Sequence, residues 1–167
     1  EAERLNKLVG DFLLFARPMK IEAHSLGLAQ VLDDTLALFQ HCEKYRGKLT
    51  VIRKDEKDLS LSMDPGHLKQ VLLNLLINAA EAIGEKDGTI TVKAYRDRES
   101  RVRLSIRDDG EGMEENLIKN IFDPFFTTKS KGTGLGLSIV LRIVEAYNGQ
   151  ILVKSTKGEG TVFTLIF

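Results

Sequence analysis

Apolar residues recur at helical spacing in some stretches of the chain and alternate with polar ones in others, and the two periods lay out most of the elements. Leu5, Leu8, Phe12 and Phe15 form a heptad-like seam over residues 1–16, which Arg17-Pro18 stops because the residue before proline is driven out of helix. This predicts the tail of a longer helix. An extended stretch near residues 20–24 follows, and Leu28, Val31, Leu32, Thr35, Leu36 and Phe39 mark a core helix over 27–46, with Gly47 suited to its left-handed stop. Leu49 and Val51 alternate as a short strand. Asp64-Pro65 is a strong helix start, with aspartate to cap free N–H groups and proline in the first turn. Over residues 65–83, Leu68, Val71, Leu72, Leu75, Leu76, Ala79 and Ile83 share one face, while Gln70, Asn74, Asn78 and Glu81 gather on the opposite one. Gly84 closes the helix.

Ile90, Val92 and Ala94, a turn at 97–100, and Val102, Leu104 and Ile106 read as an antiparallel hairpin with one wet face. A glycine-rich region over 108–136 is interrupted by a short apolar helix or turn at 116–122, and a helix follows at 137–147. Strands at 151–155 and 161–167, joined by a turn at 157–160, finish the pattern. The order predicts an α/β domain: a two-layer sandwich in which helices cover one face of a mixed, mostly antiparallel sheet.

Composition narrows the function classes. At 167 residues the chain is one domain with room for a short appendage, and 43% hydrophobic content supports a real core. The 24 basic and 24 acidic residues cancel, so no bulk attraction to nucleic acid or an acidic membrane is available. The single cysteine, Cys42, excludes an internal disulfide and cysteine-rich zinc motifs, and reads as a half-buried core thiol in a reducing compartment. No apolar run approaches the roughly 18 residues of a membrane span. The expected location is cytoplasmic, with any membrane anchor carried by other parts of a longer protein.

Two glycine-bearing segments carry the chemistry. Asp108-Asp109-Gly110-Glu111-Gly112 follows a strand and places a carboxylate where the backbone can come close to a ligand; it lacks the alternating oxygens of a calcium loop. Gly132-Thr133-Gly134-Leu135-Gly136-Leu137 leads straight into a helix, so bare N–H groups and the positive helix end face one spot suited to phosphate. The common phosphate motifs do not fit: there is no G-x-x-x-x-G-K-[ST], no first-strand dinucleotide loop, and no H-R-D or D-F-G.

An asparagine helix, then D-x-G-x-G, then G-x-G-x-G before a helix, in that order, resembles the Bergerat-fold ATP-binding domain of sensor histidine kinases, type II topoisomerases, mismatch-repair ATPases and the ninety-kilodalton heat-shock chaperone. The details are similar to the histidine-kinase branch, in its nitrogen-regulatory and sporulation members: NLLINAAEA, DDGEGM, IFDPFFTTK, GTGLGL and GEGTVFTL, preceded by RLNKLVGDFLLFARP. The resemblance implies that residues 1–18 are the end of a second dimerisation helix and its linker, and that 19–167 are the catalytic ATP-binding domain. It implies an enzyme that moves the γ-phosphoryl of ATP to a histidine.

Carried over residue by residue, the resemblance makes Asn78 the Mg²⁺ ligand with Asn74 in support, and Asp108 the acceptor of the adenine amino group with Thr161 assisting. Gly110 and Gly112 would admit the base. Phe122 to Leu135 would be a lid over the triphosphate, with Thr127, Thr128, Lys129, Gly132, Gly134, Leu135, Gly136 and Leu137 at the phosphates. Phe125 and Phe126 would pack on the dimerisation helices. Two departures stand out. Water-activating relatives and anti-sigma serine kinases carry a glutamate where this chain has Asn74, and an amide cannot take a proton from water or serine, whereas a neutral imidazole is already nucleophilic. Many histidine kinases also have a basic residue and a tyrosine where Glu81 and Ala82 stand.

His24, His41 and His67 lie in no phosphoacceptor setting and read as surface or capping residues, so the acceptor histidine belongs upstream of Glu1 in a dimerisation domain. The implied partners are that domain, a second copy of the longer protein and a response-regulator receiver domain, with no nucleic acid and no membrane contact by this piece. The rival readings are an anti-sigma-type serine kinase and a nucleotide-gated interaction module without transfer.

Overall fold

A computed structural model describes residues 9–10, 12–13, 18–42, 47–129 and 132–167. The elements run β1 (His24–Gly27), α1 (Leu28–Gln40), β2 (Leu49–Asp55), β3 (Ser60–Met63), α2 (Pro65–Ile83), β4 (Gly88–Arg96), β5 (Val102–Asp108), α3 (Glu115–Ile118), α4 (Gly136–Ala146), β6 (Gln150–Thr156) and β7 (Gly160–Ile166). The main sheet has the order β2-β4-β5-β7-β6. Its one parallel pair is β2 with β4, and every other neighbour is antiparallel. A parallel pair needs a long crossover, which α2 supplies.

Asp64 starts that crossover helix as its sequence demands: Oδ1 accepts N–H from Gly66 at 2.7 Å and His67 at 3.0 Å, and Pro65 has no N–H to satisfy. The predicted apolar face, Leu68 to Ile83, is buried throughout. It packs between α1 and α4 and against β4, β5 and β7. Each leucine fully buried here contributes about 1.5–3 kcal/mol relative to exposure. Ile90, Val92 and Ala94 of β4, and Val102, Leu104 and Ile106 of β5, complete the core from the sheet side, while the alternate residues of both strands stay partly or fully exposed. The two-layer sandwich with a mixed, mostly antiparallel sheet is therefore observed.

The differences from the predicted pattern are local. The extended stretch expected near 20–24 becomes a strand at His24–Gly27, paired with β3, which the pattern did not reveal. Helix 27–46 is described as far as Gln40, and His41 Nδ1 meets the Ala37 carbonyl at 2.7 Å beyond its end; residues 43–46 lie outside the described residues. Cys42 is exposed, not half-buried, because it comes after Phe39, the last buried residue of that helix. The short helix or turn expected at 116–122 is a helix at Glu115–Ile118 followed by turns, where buried Ile121 sits before Pro124. Of the N-terminal seam, Leu5, Leu8 and Phe15 lie outside the described residues and Phe12 is exposed; Met19 packs against the core. No helix among the described residues is long and apolar enough to cross a membrane.

At the β4–β5 turn, Asp97 accepts from Arg103 Nε at 2.8 Å through Oδ2, and from the N–H of Glu99 and Arg101 through Oδ1. Arg103, aided by these N–H groups, pulls its carboxyl down to about 2. A carboxyl depressed on folding adds stability above its unfolded value that fades as pH falls. Asp97→Asn is therefore expected to lower Tm at neutral pH, with the gap to wild type closing as pH drops from about 4 toward 2; thermal melts across that range check it.

Candidate functional site

The polar face of α2, the ends of β5 and β7 and the segments on either side of residues 130–131 wall one cavity of about 360 Å³. That size suits a small organic ligand. Gln70, Asn74, Asn78 and Glu81, which the helical wheel groups together, all line it. So do Asp108, Gly112, Thr127, Thr128, Lys129, Gly132, Gly134, Gly136, Leu137 and Thr161. Gly110 and Leu135 do not.

Strand register brings two of the expected site residues together, since Asp108 lies beside Thr161 across β5 and β7. Asp108 is 2% exposed, and burial pushes its carboxyl up, against the opposing pull of N–H donors. Oδ1 accepts from Gly110 N at 2.9 Å and Thr161 N at 3.3 Å. Neither donor reaches Oδ2, so among the described residues that oxygen is the one left to accept from a ligand. Thr161 supports Asp108 through its backbone, whereas its hydroxyl is engaged with Ser155 Oγ at 2.8 Å. Ser155 also accepts from Met113 N at 2.8 Å and donates to the Gly160 carbonyl at 3.1 Å. This serine ties the two sides of the pocket together, and periodicity marked it only as a polar strand position.

The two glycines of D-x-G-x-G serve different contacts. A Cβ on Gly110 would stand 2.6 Å from the Ala82 backbone carbon, and Glu111 N donates to the Ala82 carbonyl, so Gly110 seats the loop on the end of α2. Gly112 has φ +61° and a Cβ there would fall 2.0 Å from the Thr156 carbonyl oxygen. Gly112→Ala combines left-handed strain with overpacking, so a loss of about 3 kcal/mol is expected, lowering Tm by about 6–12 °C. Thermal denaturation checks it.

On the opposite side of the cavity, α4 begins at Gly136 with no side-chain cap, which leaves its first N–H groups for a ligand. Leu135 is fully buried and anchors the turn, where its carbonyl accepts from Ile139 N at 3.0 Å and from the Ser138 hydroxyl at 2.9 Å. Asn74 Nδ2 donates to the Gly136 carbonyl at 3.2 Å and so fastens α2 to the start of α4. Phe126 lines the cavity, while Phe125, at φ +67°, is 56% exposed and its N–H donates to the Gly134 carbonyl at 3.0 Å. Lys129 does not point to open water: Nζ lies 2.7 Å from Glu81 Oε2 and 3.3 Å from Asn78 Oδ1. The oxygens of Asn78 and Glu81 thus already surround a positive charge, and a hard cation fits the same donors. Among the described residues no cluster of three or more His, Cys, Asp or Glu side chains could form a metal cage, so such a cation would draw the rest of its shell from phosphates and water.

Of the three histidines, His24 is exposed on β1 and His41 caps α1, while His67 is tied through Nδ1 to the Tyr147 hydroxyl at 2.7 Å. None of them lines the cavity.

Comparison with known proteins agrees with this arrangement. The chain is 39% identical over 165 residues to the sensor histidine kinase ZraS of Salmonella typhi, and 40% identical over 167 residues to the signal transduction histidine-protein kinase AtoS of Escherichia coli K12. Each alignment covers 99% of this chain but only 35% and 27% of those proteins, so the chain spans about a third of the curated relatives it matches. The solved catalytic domain of histidine kinase ThkA superposes with a TM-score of 0.77 at 36% identity, covering 87% of this chain and 95% of that one. Residues 63–167 match the family described as histidine kinase-, DNA gyrase B-, and HSP90-like ATPase. The chain belongs to that ATPase family, among its histidine-kinase catalytic domains.

Proposed function

We propose that this chain binds Mg-ATP as the catalytic domain of a longer sensor histidine kinase and passes the γ-phosphoryl group to a histidine of that protein's dimerisation domain. The observation that carries the reading is one cavity walled by a buried carboxylate, Asp108, an amide oxygen, Asn78, and the uncapped start of α4. Asp108 Oδ2 accepts the adenine amino group. Guanine presents a carbonyl at that place, and two acceptors then face each other with no proton between them, so guanine is rejected. Asn78 would hold Mg²⁺, which when bound would supply positive charge to offset that of the phosphates. The N–H groups of α4 and the Gly132–Leu137 loop hold the phosphate oxygens, and positioning supplies most of the rate. Asn74 stays a structural tie between helices, consistent with an acceptor that needs no general base.

Support for the nucleotide comes from ShkA, a full-length kinase solved with AMPPNP, which aligns at 28% identity and a TM-score of 0.82 over 97% of this chain and 35% of its own. Support for an onward partner comes from ThkA solved in complex with the response regulator TrrA, at 31% identity and a TM-score of 0.82 over 99% of this chain and 47% of its own. A receiver domain is accordingly the proposed next acceptor of the phosphoryl group, and the working form is a homodimer of the longer protein. The placement is cytoplasmic.

Titration calorimetry with ATP and GTP, with and without Mg²⁺, tests the site: ATP should bind with magnesium and GTP should not compete. Labelled ATP should leave no stable label on this chain alone and should label an added dimerisation domain. A preference for GTP, or no heat from either nucleotide, would overturn the site; stable label on the isolated chain would overturn the missing acceptor.

A further inference from the structure

Ser155 and Thr161 are cross-strand partners on β6 and β7, and their hydroxyls meet at 2.8 Å. A hydroxyl has one proton to give and two lone pairs to receive on, and Ser155 has three partners, so counting fixes the direction of each bond. The Met113 N–H, at 2.8 Å, can only donate. The Gly160 carbonyl, at 3.1 Å, can only accept, and takes the Ser155 proton. One lone pair then remains on Ser155, and Thr161 must give its hydroxyl proton to it. The backbone N–H of Thr161 is spent as well, on Asp108 Oδ1 at 3.3 Å. Thr161 therefore has only oxygen lone pairs left for the cavity that it lines together with Asp108.

Resting on the reading of this cavity as an ATP site, we propose that Ser155 is a positioning residue for base selection: by holding the Thr161 proton it keeps Thr161 an acceptor beside the Asp108 carboxylate, so that the pair suits the amino group of an aminopurine and refuses the carbonyl of an oxopurine. An exocyclic amino group brings two N–H bonds, and the carboxylate and the hydroxyl oxygen offer an acceptor for each. A carbonyl brings lone pairs to two acceptors and finds no proton. A threonine hydroxyl left to itself does not discriminate, since it rotates to suit whichever group arrives. Without Ser155 the freed proton turns to a purine carbonyl, which helps the wrong base, or to Asp108, which takes an acceptor from the right one.

The test compares ATP with inosine triphosphate, which carries a carbonyl in place of the amino group and keeps the same ribose and phosphates. Calorimetry on the full chain with magnesium gives the ratio of the inosine triphosphate Kd to the ATP Kd, and melting curves confirm that each variant is folded. Ser155→Ala is expected to lower that ratio about tenfold, and Ser155→Thr, which keeps the hydroxyl, to hold it near the wild-type value. In a Thr161→Val background Ser155→Ala should leave the ratio alone, because no threonine proton is there to be released. A serine that only braced the strands would weaken both nucleotides alike and leave the ratio unmoved. Neutron diffraction from the deuterated wild-type chain should place the Thr161 deuteron on the line to Ser155 Oγ. An unmoved ratio in Ser155→Ala, an equal fall in the Thr161→Val background, or a Thr161 deuteron pointing elsewhere overturns the role of Ser155 while the ATP site stands. Failure of the wild-type chain to bind ATP, or its preference for inosine triphosphate, overturns the site itself.

Discussion

Asp108→Asn is expected to lose ATP while leaving the empty fold harder to melt. In the wild-type chain the buried carboxylate has Oδ1 occupied by two backbone N–H groups, and Oδ2, which neither of them reaches, is the oxygen proposed to accept from the adenine amino group. Asparagine keeps the accepting oxygen toward Gly110 and Thr161 and puts an NH₂ in place of Oδ2, so two donors face each other. A hydrogen bond to a charged group contributes about 1.5–3 kcal/mol, and replacing it with a donor–donor clash should weaken ATP about 100-fold or more. The same NH₂ suits the guanine carbonyl, so discrimination against GTP should narrow as well. Stability moves the other way because burial raises the Asp108 carboxyl above its ordinary 3.8. A carboxyl raised on folding binds its proton more tightly in the native state, so the empty wild-type chain loses stability as pH climbs from the unfolded value through the folded one. The variant has no such loss, and its Tm advantage should grow over that pH interval and then level off. Calorimetry with both nucleotides and melts against pH decide it; unchanged ATP affinity would remove Asp108 from the base site.

The second large effect belongs to Asn78→Ala. The Asn78 amide oxygen lies 3.3 Å from the Lys129 ammonium at the proposed cation position, and a hard metal deprived of it loses a protein ligand that water must replace. With magnesium present, ATP affinity is expected to drop about 100-fold, to the level that wild type shows in EDTA, and in EDTA the two chains should bind alike. Phosphoryl transfer to an added dimerisation domain should fall in step. Asn78 lies off the buried face of its helix, so Tm should move by less than about 0.5 kcal/mol would move it. Magnesium-dependent affinity that survives the substitution would refute the assignment.

Much of this was legible from residue order because one helix does two jobs. The seven apolar positions that the period places on one face of α2 are buried and the four polar ones it places opposite line the cavity, so a single periodicity foretold both core and cavity lining. Asp108 and the loop before α4 were equally readable, each sitting where a strand or helix ends. What stayed hidden depends on partners distant in the chain. Ser155 looks like any polar strand residue until register sets it against Thr161. The role of Gly110 rests on Ala82, 28 positions earlier, and Lys129 meets Glu81 across 48. The parallel pairing of β2 with β4 carries no local signal, and β3 is four residues long, too short for alternation to register.

The sheet order has a bearing on how the protein is made. β7 is the last strand in the sequence, yet it lies inside the sheet between β5 and β6, and Thr161 in its first turn of chain completes the surroundings of Asp108. While a ribosome is still adding these residues, β5 has one edge bare and β6 has no neighbour at all. A nascent chain therefore passes through an interval with an open, sticky strand and no capacity to hold nucleotide. Cellular ATP can stabilise the product only after residue 166 has emerged, which makes the preceding seconds the window in which chaperones and proteases compete for it.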